Sequence, residues 1–156
     1  MAHGDSLPEE STTALERAQW DYDRAVLLRD QAAAVVRDKD QAIIAARGKL
    51  EQAKREAAAA IPVDRSARQL SGGGYVVLTP AERAKGFTRP FRDAYRHLKC
   101  GKITTMSRDI AETYARDPGF YSGTFCTTCR AHFPVGESGE FTWYEMNGRE
   151  GPKVGT

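Results

Sequence analysis

The chain is short of several things at once. It has three cysteines in 156 residues and a formal net charge of only +2, and no apolar run approaches the roughly 20 residues that a membrane-spanning helix needs. An odd number of cysteines cannot pair fully within one chain, which argues against a disulfide-stapled secreted framework. The small net charge falls well short of a strongly basic nucleic-acid binder. Met1-Ala2-His3-Gly4-Asp5 carries neither the basic region nor the apolar core of a signal peptide, so a reducing, cytoplasmic location is expected. Proline and glycine are scarce over one long reach: between Glu9 and Ala60 there is no proline, and the only glycine is Gly48.

That reach reads as helix. Ser6-Leu7-Pro8-Glu9 has the grammar of a start, with Ser6 as N-cap, Pro8 in the first turn and Glu9 closing a capping box. A seven-residue register follows. One seam carries Leu15, Tyr22, Arg29, Val36, Ile43, Leu50 and Ala57; the seam three residues on carries Ala18, Ala25, Ala32, Lys39, Ala46, Ala53 and Ala60. Residues 6–61 are therefore expected to be one long helix, self-associated as a coiled coil or docked on another protein. Two alternatives stand beside it: a helical hairpin turning near Arg37-Asp38-Lys39-Asp40, and a charged single helix that folds only on its partner. Neither glycine nor proline marks the turn that the hairpin requires.

Ile61-Pro62 closes the helix, because the residue before proline is pushed out of the helical region. Residues 62–74, ending in Ser71-Gly72-Gly73-Gly74, read as a linker, and 75–156 as a separate module. Within it, Tyr75-Val76-Val77-Leu78 has strand composition, and Thr79-Pro80-Ala81-Glu82 starts a helix of about two turns. Lys102-Ile103-Thr104 suggests a strand. A helix capped by Thr105 or Ser107 follows and ends at Asp117-Pro118-Gly119. Glu140 to Met146 alternates like a strand before the hairpin signal Asn147-Gly148.

All three cysteines fall in one stretch: His97-Leu98-Lys99-Cys100, then Cys126-Thr127-Thr128-Cys129 after 25 intervening residues. A two-residue gap lets neighbouring ligands turn towards one ion, and two such pairs complete the tetrahedral shell of a structural zinc. The expected ligands are His97, Cys100, Cys126 and Cys129. His132, three residues after Cys129, competes for the nitrogen position; His97 is preferred because it gives Cys100 a two-gap partner. Four protein ligands leave no position for an activated water, and the His-x-Glu of a nucleobase deaminase is missing, so no enzyme activity and no small-molecule substrate are expected. A thin module of many short elements is where a metal staple is most useful.

Two other groups of residues invite a functional reading. Asp109, Glu112 and Asp117 are interleaved with Arg108 and Arg116, which reads as a solvated ion-pair face. Arg83, Lys85, Arg89, Arg92, Arg96, Lys99 and Lys102, among Phe87, Phe91 and Tyr95, have the cations and rings of a nucleic-acid surface. The plainer account is that the rings are core and the charges solvate the surface or meet an acidic protein. Residues 1–61 hold 11 acidic and 9 basic side chains and residues 62–156 hold 10 and 14, so the second part is the basic one, by −2 against +4.

The run Arg89-Pro90, His97-x-x-Cys100-Gly101, Ala111 to Tyr121 and Phe125-Cys126-x-x-Cys129-Arg130-Ala131-His132-Phe133-Pro134-Val135 resembles small zinc-finger-like proteins encoded by bacteriophages of actinobacteria and related prophages. The likeness covers about residues 87–156. It implies a phage-related origin, a bacterial host cytoplasm or a virion as location, and no particular mechanism. A long helix joined to a zinc module is also faintly similar to the secondary-channel regulators of bacterial RNA polymerase. Those use an antiparallel hairpin with acidic tips, from which the continuous register departs. The expected fold is α+β: a long N-terminal coiled-coil helix, then a small zinc-stabilised α/β module of zinc-ribbon or treble-clef type. The expected role is a non-enzymatic assembly or adaptor protein, with a nucleic-acid- or polymerase-associated regulator as the alternative.

Overall fold

A computed structural model describes residues 13–145 and 148–156. The chain divides into two compact units, residues 1–49 and residues 50–156. Helix α1, Ala14–Ala59, is unbroken over 46 residues, about 69 Å at 1.5 Å per residue. It passes straight through Arg37–Asp40, so the helical hairpin is excluded. Its start is a capping box, but at Thr13 and Glu16: the Glu16 N–H donates to Thr13 Oγ1 (3.2 Å) and the Thr13 N–H to Glu16 Oε2 (3.1 Å). The box expected at Ser6 and Glu9 lies outside the described residues.

In the first unit the helix surface carries apolar side chains in the open. Leu15, Tyr22, Val36 and Ile43 of the predicted seam are each more than half exposed, as are Leu27, Leu28, Val35 and Ile44 beside them. Adjacent pairs such as Val35-Val36 and Ile43-Ile44 lie about 100° apart on a helix, so the apolar surface is a broad band and not a narrow stripe.

The second unit begins with the last turns of α1. Strand β1, Arg68–Leu70, pairs antiparallel with β2, Val76–Leu78, Gln69 lying opposite Val77. Residues 62–74 are therefore not simply a linker. The run Ser71–Gly74 is the turn of this hairpin, held by the Ser71 N–H on the Tyr75 carbonyl (2.7 Å), and Gly74 sits at φ 80°, where a side chain would be strained. Helix α2, Pro80–Arg83, is one turn and shorter than expected. Its cap is the predicted one, Thr79 Oγ1 accepting from the Glu82 N–H (3.3 Å).

Strands β3 (Ala94–His97), β4 (Ile103–Thr105), β7 (Phe141–Tyr144) and β8 (Glu150–Lys153) form an antiparallel sheet in the order β4-β3-β7-β8. Strands β5 (Gly123–Cys126) and β6 (Ala131–Pro134) form a separate two-stranded ribbon. Helix α3, Arg108–Arg116, has Ser107 at its N-cap position, where the hydroxyl donates to the Asp109 carboxylate and caps no helix N–H, and gives way at Asp117 to a short 3-10 turn, Pro118–Phe120. It turns Ala111, Tyr114 and Ala115 inwards. The core joins sheet, ribbon and helix through Tyr95, Tyr114, Cys126, Phe141, Trp143 and Val154. Its rings meet edge to face, Tyr95 on Phe141 at 5.4 Å and Tyr114 on Trp143 at 5.5 Å between centroids, which favours one packing over others.

A second, polar knot lies behind this core. Arg116, fully buried at the end of α3, donates to the carbonyls of Ala58 (2.8 Å), Ile61 (2.8 Å) and Pro62 (3.3 Å) and to Glu82 Oε1. The last carbonyls of any helix lack partners within it, and α1 has no cation of its own in its last turn. Arg116 supplies both the donors and the charge. Glu82, also buried, is shared with Lys85 (2.5 Å) and with the Asp64 N–H (3.3 Å). The face read from sequence as solvated thus holds the most deeply buried charge of the described residues.

Candidate metal centre

His97 and Cys126 reach the same place by the same route. In a strand alternate residues share a face, so Tyr95 and His97 point inwards from β3, and Thr124 and Cys126 from β5. Each is the last residue of its strand. After each, the chain turns through a tight knuckle that offers a second ligand three residues on. The Gly101 N–H returns to the His97 carbonyl (2.8 Å), and the Arg130 N–H returns to the Cys126 carbonyl (2.8 Å). The residue after the second ligand is left-handed in both knuckles, Gly101 at φ 70° and Arg130 at φ 54°. Strands β4 and β6 then lead back antiparallel. The two hairpins are conformational equivalents, one presenting His97 and Cys100 and the other Cys126 and Cys129.

The donor atoms of these four residues all lie within 4.8 Å of one another. Cys100 Sγ is 3.7 Å from Cys126 Sγ, and Cys129 Sγ is 3.5 Å from His97 Nδ1. A tetrahedron with metal–sulfur bonds of about 2.3 Å and a metal–nitrogen bond of about 2.0–2.1 Å has edges of about 3.8 Å and about 3.5 Å. No disulfide joins any pair of the thiols. The group could therefore hold a metal ion. His132 is not part of it: it lies on the exposed face of β6, opposite Phe125, with its ring 5.1 Å from the Phe125 ring.

The histidine is oriented before any ion arrives. Its ring is stacked on Phe133 (4.5 Å) and lies 4.8 Å from Phe141, while Nε2 is 3.0 Å from Glu140 Oε2. A carboxylate only accepts, so Nε2 donates to it, and Nδ1 is the nitrogen that faces the thiols. Lys99 at 2.8 Å, and His97 after it, hold the Glu140 carboxyl below the usual carboxylate range, which keeps it an acceptor. Burial pushes the Cys126 thiol up, but N–H groups of Cys129 and Thr128 and the neighbouring thiols outweigh it and bring Cys126 down to about 7. Burial and the crowding of Cys126 and Cys100 raise Cys129 to about 11. One thiolate forms readily here and the next does so against repulsion, the electrostatics of a place that favours a cation.

The basic stretch looks different in three dimensions. Arg83 pairs with Glu112 (2.9 Å), Lys85 with Glu82, Arg92 with Glu145 (2.7 Å), Arg96 with Glu150 (3.1 Å) and Lys99 with Glu140 (2.8 Å). Arg89 donates to the main-chain oxygen of Thr156 (3.1 Å), which leaves Lys102 the one member without a partner among the described residues. Of the interleaved rings, Tyr95 is core and Phe91 is exposed. Asp117 pairs with Arg65 (2.6 Å), and Glu112 bridges Arg83 and Arg108, so these carboxylates are structural as well.

The sequence reading missed Glu140 as the partner of His97, and no spacing rule connects residues 43 apart. It also passed over the knuckle signal that was present, Gly101 directly after Cys100. What fold and site define is an α+β chain with a 46-residue helix and a cluster of one histidine and three cysteines able to hold a metal. No family model, no curated protein and no solved structure matches this chain.

Proposed function

We propose that His97, Cys100, Cys126 and Cys129 bind one structural Zn2+ between two facing knuckles, in the manner of a zinc ribbon, and that the chain is a non-enzymatic assembly or adaptor protein of phage-related origin. The observation that carries the metal reading is the match of the 3.7 Å and 3.5 Å donor spacings to a tetrahedral shell, with His97 already oriented by Glu140. Four protein ligands close that shell. A closed site supplies folding energy and leaves no position for a reacting water.

The long helix is the assembly element. Leu15, Tyr22, Val36 and Ile43 stay in the open on one seven-residue register that Arg29 interrupts, with Leu28 and Val35 widening the band on one side. An apolar surface of this extent is stabilised by covering it with another helix. Ala18, Ala25, Ala32 and Ala46 on the neighbouring seam would let that helix approach closely. The paired cations of 83–99 favour protein recognition over nucleic acid, since phosphate would have to displace five acids already in place.

Light scattering on the zinc-loaded chain tests the helix. A concentration-dependent oligomer that Val36→Glu with Ile43→Glu returns to monomer is the expected result. A parent chain that stays strictly monomeric at high concentration would remove the self-associated coiled coil.

A further inference from the structure

The uncovered band of α1 carries charges as well as apolar side chains. Leu15, Tyr22, Val36 and Ile43 share one seam and are each more than half exposed, while Ala18, Ala25, Ala32 and Ala46 occupy the seam beside it. Leu28 and Val35 flank the alanine seam on its far side, 55% and 59% exposed. Each seam also holds one cation, Arg29 among the large residues and Lys39 among the alanines. Arg29 brings its own counter-charge in Asp30, at 2.8 Å. Lys39 and Asp21 are exposed, and neither has an ion-pair or hydrogen-bond partner among the described residues.

A second copy laid parallel on this surface, related by a two-fold axis, sets every seam residue against itself. Arg29 then faces Arg29 and Lys39 faces Lys39. Layers of paired large residues also alternate with layers of paired alanines, and the two kinds require different distances between the helix axes. Laid antiparallel, the large seam of one helix meets the alanine seam of the other. Each layer then holds one large and one small residue, and a single close spacing suits them all.

Charge selects the register, because antiparallel alignments that keep seam on seam differ by steps of seven residues. Leu15 opposite Ala53 places Arg29 on Lys39, which is repulsive. Leu15 opposite Ala60 draws in the last turn of α1, where Ala58 is already buried. Leu15 opposite Lys39 shortens the overlap by seven residues. The remaining choice sets Leu15 on Ala46, Tyr22 on Lys39, Arg29 on Ala32, Val36 on Ala25 and Ile43 on Ala18. On its flank Leu28 meets Val35 of the second copy, so the widening of the band is used. Lys39 lays its stem along the Tyr22 ring and reaches Asp21, the residue before that tyrosine. We infer that α1 pairs antiparallel with a second copy of itself, Leu15 opposite Ala46, with two symmetric Lys39 to Asp21 ion pairs fixing the register. The inference rests on the reading of α1 as a self-associating helix and gives that helix its partner and direction.

The experiment is photo-crosslinking of the full, zinc-loaded chain with p-benzoylphenylalanine in place of Tyr22, as an equal mixture of unlabelled and 15N-labelled copies so that links between copies are recognised by mass. Those links should centre on Lys39, within residues 36–42. Links centred on residue 22 of the second copy mean a parallel pair and would overturn the inference while self-association stands. Links centred on Ala46 mean the register that stacks Arg29 on Lys39, and would overturn it too. A charge swap gives an independent readout by sedimentation equilibrium. Asp21→Lys or Lys39→Glu alone should each weaken the dimer about fivefold, the worth of two symmetric exposed pairs, and the two together should restore it. A double variant no tighter than either single one would refute the ion pairs. A chain that stays monomeric and gives no links between copies would sink self-association itself, a result distinct from all of these.

Discussion

Replacing Arg116 by alanine should be among the most damaging single changes in residues 50–156. The guanidinium is completely buried and serves three main-chain carbonyls at the end of α1 together with the Glu82 carboxylate. Breaking a buried pair by deleting one partner costs about 3–5 kcal/mol, because the other charge is left behind in a poor solvent. Here Glu82 keeps Lys85 and the Asp64 N–H, which lowers that share of the loss. The Ala58 carbonyl likewise keeps the Ile61 N–H (3.2 Å), whereas the Ile61 carbonyl is left to whatever water can enter. About 3–4 kcal/mol is the expected sum, a large part of the 5–15 kcal/mol typical of a domain, and a melting temperature lower by about 12–25 °C. The assay is thermal unfolding of the zinc-loaded chain followed by Trp143 fluorescence in a Trp20→Phe background, because Trp143 reports the core while Trp20 lies on α1. Arg116→Lys should recover little, since one ammonium cannot serve the three carbonyls with the planar fork. An Arg116→Ala protein within about 1 kcal/mol of its parent would refute this account of how the end of α1 is held.

Other expectations follow from the same contacts. Glu140→Gln keeps the shape but weakens the hold on His97, and should cost about 10–100-fold in metal affinity measured by competition with a chelator. Arg130 occupies a left-handed position that its equivalent, Gly101, fills without strain. Arg130→Gly should therefore stabilise by about 1 kcal/mol in urea unfolding, and Gly101→Ala, with open space around its Cβ but φ 70°, should destabilise by about as much. Lys85 foremost, with the Asp64 N–H and Arg116, holds the Glu82 carboxyl below its ordinary range against the effect of burial. Its stabilisation is then full above about pH 4.3, the unfolded value, and is lost as pH falls through the folded one. The stability gap between parent and Glu82→Gln should accordingly narrow as pH is lowered from about 6 to below 4.

What could be read from sequence was whatever local chemistry determines. The scarcity of proline and glycine gave a continuous α1, Thr79-Pro80-x-Glu82 gave a capped turn, and the two-gap spacings pointed to His97, Cys100, Cys126 and Cys129, which do lie in one cluster. Misreadings came where distant residues decide. Arg68-Gln69-Leu70 has no β-branched residue and looked like linker, yet it is a strand because Val76–Leu78 offers it a ladder. The basic stretch looked like a cationic face because its acids arrive from far along the chain, Glu145 from 53 residues away and Glu150 from 54. Arg116 looked solvated at the end of an amphipathic helix, and only the arrival of Ala58, Ile61 and Glu82 around it shows why a charge sits in the interior. The capping box at Thr13 and Glu16 was passed over in favour of one at Ser6 and Glu9, because both have the same spacing and spacing alone does not place the first turn.

The most direct test of the proposed zinc site is native mass spectrometry of the chain as purified, paired with Trp143 fluorescence before and after a strong chelator. The expected result is one zinc per chain, with chelation abolishing the folded signal of Trp143 while helical circular dichroism from α1 is largely kept. A chain that carries no zinc, or one whose core stays cooperatively folded after the metal is stripped or after Cys126→Ser, would contradict it.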